Sequence, residues 1–128
     1  SIFGSDGLSF GGKKKADDGS NGIGVNSYLW RASLDTVSFM PLASADPFGG
    51  VIITDWYTAD EKPDERFKVN VFILDKQLRS TGIKVKVFRQ VQKGGKWVDS
   101  TVADNTGPQM EEAILTRARQ LRIQDGRL

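Results

Sequence analysis

The sequence of 128 residues contains no cysteine and no histidine, two residue types on which many active sites depend. Within this chain, the composition excludes disulfides, thiolate nucleophiles, zinc sites made of cysteine and histidine, and catalytic triads that use histidine. Because cysteine and histidine are absent, we expect a non-catalytic protein with no cofactor and no metal. No apolar run approaches the roughly 18–20 residues of a membrane-spanning helix, so we do not expect this sequence to cross a membrane.

The overall composition is that of a globular protein, with 38% hydrophobic and 27% charged residues. A chain of this length supports one domain with one modest core. The formal net charge is +2 and the pI is about 9.0. This small excess of cations is typical of a solvated surface, and we expect no nucleic-acid partner.

The chain divides into a leader and a domain. Residues 1–25 hold seven of the 14 glycines and show no sustained helix or strand periodicity, which predicts a flexible Gly-rich leader. Residues 26–125 are predicted to form a single domain.

The domain begins with a helical pattern. Asn26 is the predicted N-cap of a helix through Met40, where Pro41 ends it. The next segment, Asp46-Pro-Phe-Gly-Gly50, predicts a tight loop between this helix and a strand that starts at Val51.

Three strand patterns follow, over 51–57, 67–74 and 83–91, with the last two alternating cleanly between apolar and polar residues. Gly94-Gly95 predicts a hairpin into a short strand near Trp97, and Thr106 with Gln109 matches the capping box of a closing helix. The predicted buried stripe of this helix is Met110, Ile114, Arg117/Ala118 and Leu121. The predicted fold is α+β, a three- to four-stranded antiparallel meander with two helices packed on one face. Its order is α-β-β-β-(β)-α.

The residues allow three chemical hypotheses. Asp46 and Asp55 are the candidate pair for a hydrolase, although Asp46 also suits an Asx turn. Aromatic side chains suggest a ligand pocket between helix and sheet; they are Tyr28, Trp30, Trp56, Tyr57 and Trp97. Phe88, in phase with Lys84 and Lys86, suggests a basic aromatic surface with Phe72 beside it across the strands.

Three runs, 25–57, 65–74 and 113–123, resemble an uncharacterised alphaproteobacterial family, a domain of unknown function. The first contains Ser44-Ala-Asp-Pro-Phe-Gly-Gly-Val51. Members commonly resemble lipoproteins, with a lipidated cysteine and a Gly-rich spacer before the domain. The order of elements also resembles the helix-grip domains of an accessory lipoprotein of the outer-membrane β-barrel assembly machine.

The resemblance implies a periplasmic protein-interaction domain anchored to the outer membrane by a lipid on a cysteine that this sequence does not contain. Its expected partner is an envelope protein, with an accessory role in outer-membrane assembly. The alternative is a small-molecule or lipid carrier with a cavity between the closing helix and the sheet. The candidate interaction surface consists of Asp46, Pro47, Phe48, Gly49, Gly50, Phe72 and Phe88.

Overall fold

The computed structural model describes residues 23–126, so the predicted leader lies outside the described residues except for its last three positions. The elements are α1 (Ser27–Thr36), β1 (Leu42–Asp46), β2 (Val51–Thr54), β3 (Glu65–Ile73), a 3-10 turn (Ser80–Gly82), β4 (Ile83–Lys93), β5 (Lys96–Ser100) and α2 (Thr106–Gly126). The strands form one antiparallel sheet in the order β1-β2-β3-β4-β5. The α+β class is confirmed, with more strands than predicted.

The central strands produce the inner face of the sheet. In β3, Val69, Val71 and Ile73 are buried, and in β4 Ile83 and Val85 lie in the same core. Val71 is directly opposite Val85, and Ile73 is directly opposite Ile83. Since side chains alternate between the two faces of a strand, the period-two pattern in the sequence correctly predicted which face is buried.

Both helices pack on this inner face. Helix α1 contributes Leu29 and Ala32, and α2 contributes the predicted stripe Ile114, Ala118 and Leu121. These side chains belong to one contiguous hydrophobic cluster with the strand residues. The helices therefore form one layer and the sheet the other, and within the described residues no helix lies on the opposite face of the sheet.

Asn26 caps α1, as predicted. It is 0% exposed, and its side-chain oxygen accepts the Leu29 N–H at 2.9 Å. Its Nδ2 donates to the Lys76 carbonyl at 3.1 Å, while its backbone N–H donates to the Asp75 carbonyl. One residue thus starts the helix and fastens it to the loop after β3.

The predicted end of α1 at Met40 was wrong, because the helix ends at Thr36. The Thr36 hydroxyl donates to the Ala32 carbonyl, and the Ser38 hydroxyl donates to the Asp35 carbonyl. Such side-chain bonds compete with helix propagation, and β-branched Val37 adds low helix propensity. The chain leaves the helix before Pro41 acts.

The segment from Leu42 to Asp46, which sequence analysis did not predict as a strand, forms the edge strand β1. It pairs with β2, and the register shifts between Leu42 and Ser44. All five of its residues are exposed. The Asp46–Gly50 loop therefore connects two strands as a hairpin turn, instead of connecting a helix to a strand.

Helix α2 covers the part of β4 that β5 leaves unpaired. Strand β5 pairs only with Arg89–Lys93, and the Glu111 carboxylate accepts the Val85 N–H at 2.9 Å. A Cβ added to Gly107 would lie 2.8 Å from the Val85 carbonyl oxygen. This close packing protects a sheet edge from water and from other chains.

The predicted capping box at Thr106 was wrong by one residue. Thr106 is the first residue of α2, and the Asn105 carbonyl accepts the Gln109 N–H. Asn105 therefore occupies the N-cap position.

Candidate functional site on the outer face of the sheet

The face of the sheet opposite the helices is called the outer face here. Residues directly opposite one another in antiparallel strands share a face, so the register of the central strands defines its members. They are Ser44, Asp46, Val51, Ile53, Arg66, Lys68, Asn70, Phe72, Lys84, Lys86, Phe88, Gln90, Gln92, Trp97 and Asp99. The set includes four basic and three aromatic side chains.

At one end of the outer face, Arg66 contacts two tryptophans. Its guanidinium carbon lies 4.6 Å from the Trp56 ring centroid and 4.4 Å from that of Trp97. Its Nε and Nη2 both donate to Gln90 Oε1, at 2.8 and 2.6 Å. Gln90 Nε2 in turn donates to Asp99. Cation–π contacts and charged hydrogen bonds hold these side chains in one arrangement across β3, β4 and β5.

An open groove of about 380 Å³ lies beside this stack. Its lining includes the side chains of Trp56, Lys68, Asn70, Phe88 and Asp99. Lys68 Nζ lies 5.4 Å from the Trp56 ring centroid. Phe88 is 43% exposed. The groove therefore combines aromatic walls with an ammonium, an amide and a carboxylate.

Asn70 leaves an acceptor unused in the groove. Its Oδ1 is buried and has no hydrogen-bond partner within residues 23–126. A buried acceptor without a donor costs about 1–3 kcal/mol.

Lys84 and Lys86 lie next to the groove on β4. Both are exposed, and none of the ion pairs among residues 23–126 involves either of them. On β3, Phe72 is opposite Lys84 and Asn70 is opposite Lys86. The middle of the outer face thus presents two unpaired positive charges.

The register corrects one prediction about the phenylalanines. Phe72 and Phe88 share the outer face, as expected, but they are not neighbours. Phe72 is opposite Lys84, Phe88 is opposite Lys68, and the row of Asn70 and Lys86 lies between them. The two rings belong to different parts of the surface.

The Asp46–Gly50 turn is rigidly held. Asp46 Oδ1 accepts the Phe48 N–H at 3.0 Å, which makes the Asx turn. Gly24 donates to the Pro47 carbonyl. Gly50 has φ 72°, a left-handed conformation that suits glycine.

Phe48 is the exposed member of this turn, at 72%. A Cβ on Gly49 would lie 2.6 Å from Asp46 Oδ2. The backbone conformation of the turn presents the Phe48 ring to solvent. Three of the predicted surface residues, Asp46, Pro47 and Gly49, hold that conformation with Gly50.

The register separates the candidate hydrolase pair. Asp46 is opposite Val51 at the turn, whereas Asp55 follows the other end of β2, roughly 13 Å away at about 3.3 Å per residue. Paired hydrolytic carboxylates lie roughly 5–10 Å apart. Asp55 is exposed and accepts the Trp56 N–H.

The aromatic residues expected to line one pocket between helix and sheet are divided between the two faces. Tyr28 and Trp30 pack in or against the core, while Trp56 and Trp97 contact Arg66 on the outer face. Tyr57 pairs with Phe67, and its ring meets Phe39 edge to face at 5.2 Å. The described groove is on the outer face, opposite the position predicted for a carrier cavity.

The arginines of α2 are not part of the outer face. Arg117 Nε lies 3.2 Å from an Asp35 carboxylate oxygen on α1. Asp125 lies 3.6 Å from Arg31. Burial, followed by a hydrogen bond to Asp125, raises the pKa of Tyr28 above its ordinary 10.0. These contacts join the two helices and leave the strand lysines as a separate basic surface.

Within residues 23–126, no three His, Cys, Asp or Glu side chains are grouped closely enough to hold a metal ion. No helix in the same range has the length and apolar character needed to span a bilayer.

Comparison with known proteins identifies the family. Residues 23–123 match the domain of unknown function DUF3576. The chain belongs to this family. It is also 40% identical over 125 residues to a protein of Rickettsia prowazekii (strain Madrid E) called uncharacterized protein RP420, covering 96% of this chain and 75% of that one. The predicted membership of a family of unknown function is confirmed.

Proposed function

We propose that this protein is a non-catalytic interaction domain of the bacterial cell envelope that binds a partner protein through the outer face of its sheet. The observation that carries the proposal is the sheet face that no helix within residues 23–126 covers, with its groove, the exposed ring of Phe88 and the two lysines that form no ion pair in that range. Aromatic side chains and arginine are enriched at protein-binding surfaces relative to the rest of a protein surface.

The proposed location is the periplasm, with a lipid anchor in the outer membrane and an accessory role in envelope assembly. It is supported by the lipoprotein-like organisation of the resembled family. The order of one helix, a meander and a long closing helix also supports a comparison with helix-grip domains, at the level of fold only.

Localisation is tested on the full-length protein in its own bacterium. Cells carrying an epitope-tagged copy are fractionated, and the tagged protein is assayed for incorporated fatty acid. We expect the protein in the outer-membrane fraction with a covalent lipid. Recovery in the cytoplasm without lipid would contradict the proposed location.

The interaction is tested by affinity purification from cross-linked membranes. We expect one envelope protein in stoichiometric yield with the wild-type protein and with the control R119M, whose site is exposed on α2. The variant F88S should lose it, because Phe88 is the exposed ring of the groove. Equal recovery with F88S would contradict the proposal.

A small-molecule carrier is the second candidate function, and the groove volume favours it. A volume of about 380 Å³ lies within the usual range for small ligands, roughly 300–1,000 Å³. Native mass spectrometry of gently purified protein should then show a mass adduct that F88S lacks. A spectrum without an adduct would count against this second candidate.

A further inference from the structure

We propose that the outer face binds an extended acidic segment of the partner, with carboxylates at alternate residues facing Lys84 and Lys86 and an apolar side chain beside Phe88. This inference rests on the proposed function, since it names the chemistry of the partner for the same face. It follows from the spacing, charge and exposure of side chains along β4.

Spacing comes first. Lys84, Lys86 and Phe88 are successive outward residues of β4. Outward side chains of a strand repeat every two residues, at about 6.6–6.8 Å. An extended peptide has the same repeat, so a segment lying along β4 places every second side chain over one of these residues.

Charge gives the second step. The outer face carries the cations Arg66, Lys68, Lys84 and Lys86, and the register adds two carboxylates, Asp99 from β5 and Asp46 from β1 in the row of Lys84. Asp99 already accepts Gln90 Nε2 at 2.9 Å, and Asp46 already accepts the Phe48 N–H at 3.0 Å. A partner that complements this surface carries negative charge where Lys84 and Lys86 lie.

The groove gives the third step. Beyond Lys86, the segment reaches Phe88 and the groove walls formed by Trp56 and Lys68. An apolar side chain there removes exposed ring surface from water.

A single-stranded nucleic acid fits this surface less well. Base binding needs aromatic faces that are free to stack. The indoles of Trp56 and Trp97 are each already stacked on Arg66, and Trp56 also has Lys68 close to its ring. These contacts leave Phe88 as the exposed ring of the groove on which a base could stack. The binding of carboxylates, in contrast, requires only the lysines.

The test uses the full chain and fluorescently labelled probes at about 0.1 M salt, where the Debye length is about 10 Å. The first probe is a short peptide with threonine at every second position and Phe, Glu, Glu and Phe, in that order, at the positions between. Because this order reads the same from either end, the peptide presents the same side chains in both chain directions. The second has the same composition with these four residues contiguous. Oligothymidine and vesicles containing anionic phospholipid are the other two probes.

We expect the alternating peptide to bind at least about fivefold more tightly than the contiguous peptide. The double variant K84Q/K86Q should weaken that binding about tenfold, since surface ion pairs of about 0.2–1 kcal/mol each are lost. The matched control is K93Q/K96Q, which removes the same charge from exposed lysines on the opposite face. It should change the affinity less than about twofold, as expected for charges beyond the Debye length.

Four results would overturn the inference. They are absence of peptide binding, equal binding of the two peptides, equal loss in both double variants, and tighter binding of oligothymidine or vesicles than of the alternating peptide. If F88S still loses its partner in cross-linked membranes, the proposed function stands while the acidic-segment inference fails.

Discussion

The stack of Arg66 between two tryptophans predicts that a planar cation, and not merely a positive charge, is required at this position. Replacing Arg66 with methionine removes two cation–π contacts, at 4.6 and 4.4 Å, each worth about 0.5–1 kcal/mol or more. It also removes two hydrogen bonds to Gln90, and charged hydrogen bonds contribute about 1.5–3 kcal/mol.

We therefore expect R66M to lower the free energy of unfolding by about 2–4 kcal/mol, because the side chain is half-buried and its contacts are shared with solvent in part. For a domain of this size, that corresponds to a decrease in Tm of roughly 10–20 °C. The variant R66K keeps the charge but loses the planar stack, and should lie between the wild type and R66M.

Urea unfolding followed by circular dichroism gives the free energies, and thermal unfolding gives Tm. The control R119M changes an exposed arginine on α2 and should stay within about 0.5 kcal/mol of wild type. If the free energy of unfolding of R66M also stayed within about 0.5 kcal/mol of wild type, the stack would be refuted as a stabilising feature. Equal stability of R66K and the wild type would show that charge alone suffices.

Three further predictions concern the framework of the domain. N26A should lower stability by about 2–4 kcal/mol in urea unfolding, since it removes an N-cap and leaves the buried Leu29 N–H without its acceptor, whereas N105A should cost about 1 kcal/mol or less. E111A should increase hydrogen exchange of the β4 amide that Glu111 covers and cost about 1–3 kcal/mol; unchanged exchange would contradict that contact. Because the pKa of Tyr28 is raised on folding, its contribution to stability is complete below pH 10 and decreases as pH rises through the folded pKa. Y28F should abolish that alkaline decrease in pH-dependent unfolding.

The parts of the fold that could be predicted are those with a regular apolar repeat. Apolar and polar residues alternate along β3 and β4 because one face of these strands packs against the helices and the other faces solvent. Val71 and Val85 lie on the buried face, as this alternation predicts. The stripe of α2 was predicted for the same reason, with Leu115 as an additional buried residue.

Strand β1 could not be predicted from its own residues. All five side chains are exposed, and the strand exists because it pairs with β2. The turn from Asp46 to Gly50, with an Asx residue and glycines, is itself a hairpin signal, and it was instead interpreted as the link from a helix. That interpretation followed from extending α1 to Met40, four residues beyond its end at Thr36.

The candidate site was predicted only in part. Phe88 and the two lysines on β4 share one strand, so period two was sufficient to place them on one face. Trp56, Arg66 and Trp97 come from three separate segments, and only the register of β3, β4 and β5 together with the Tyr57–Phe67 bridge brings them together. No local pattern in the sequence contains that information.

The central claim is that the outer face of the sheet contacts a partner protein in the cell. The most direct measurement places a photoreactive amino acid at Phe88 of the full-length protein in living bacteria, with Arg119 on α2 as the matched position. Illumination should yield one discrete cross-linked envelope protein from position 88 and none from position 119. Equal cross-linking from both positions, or cross-linking only from position 119, would contradict the claim.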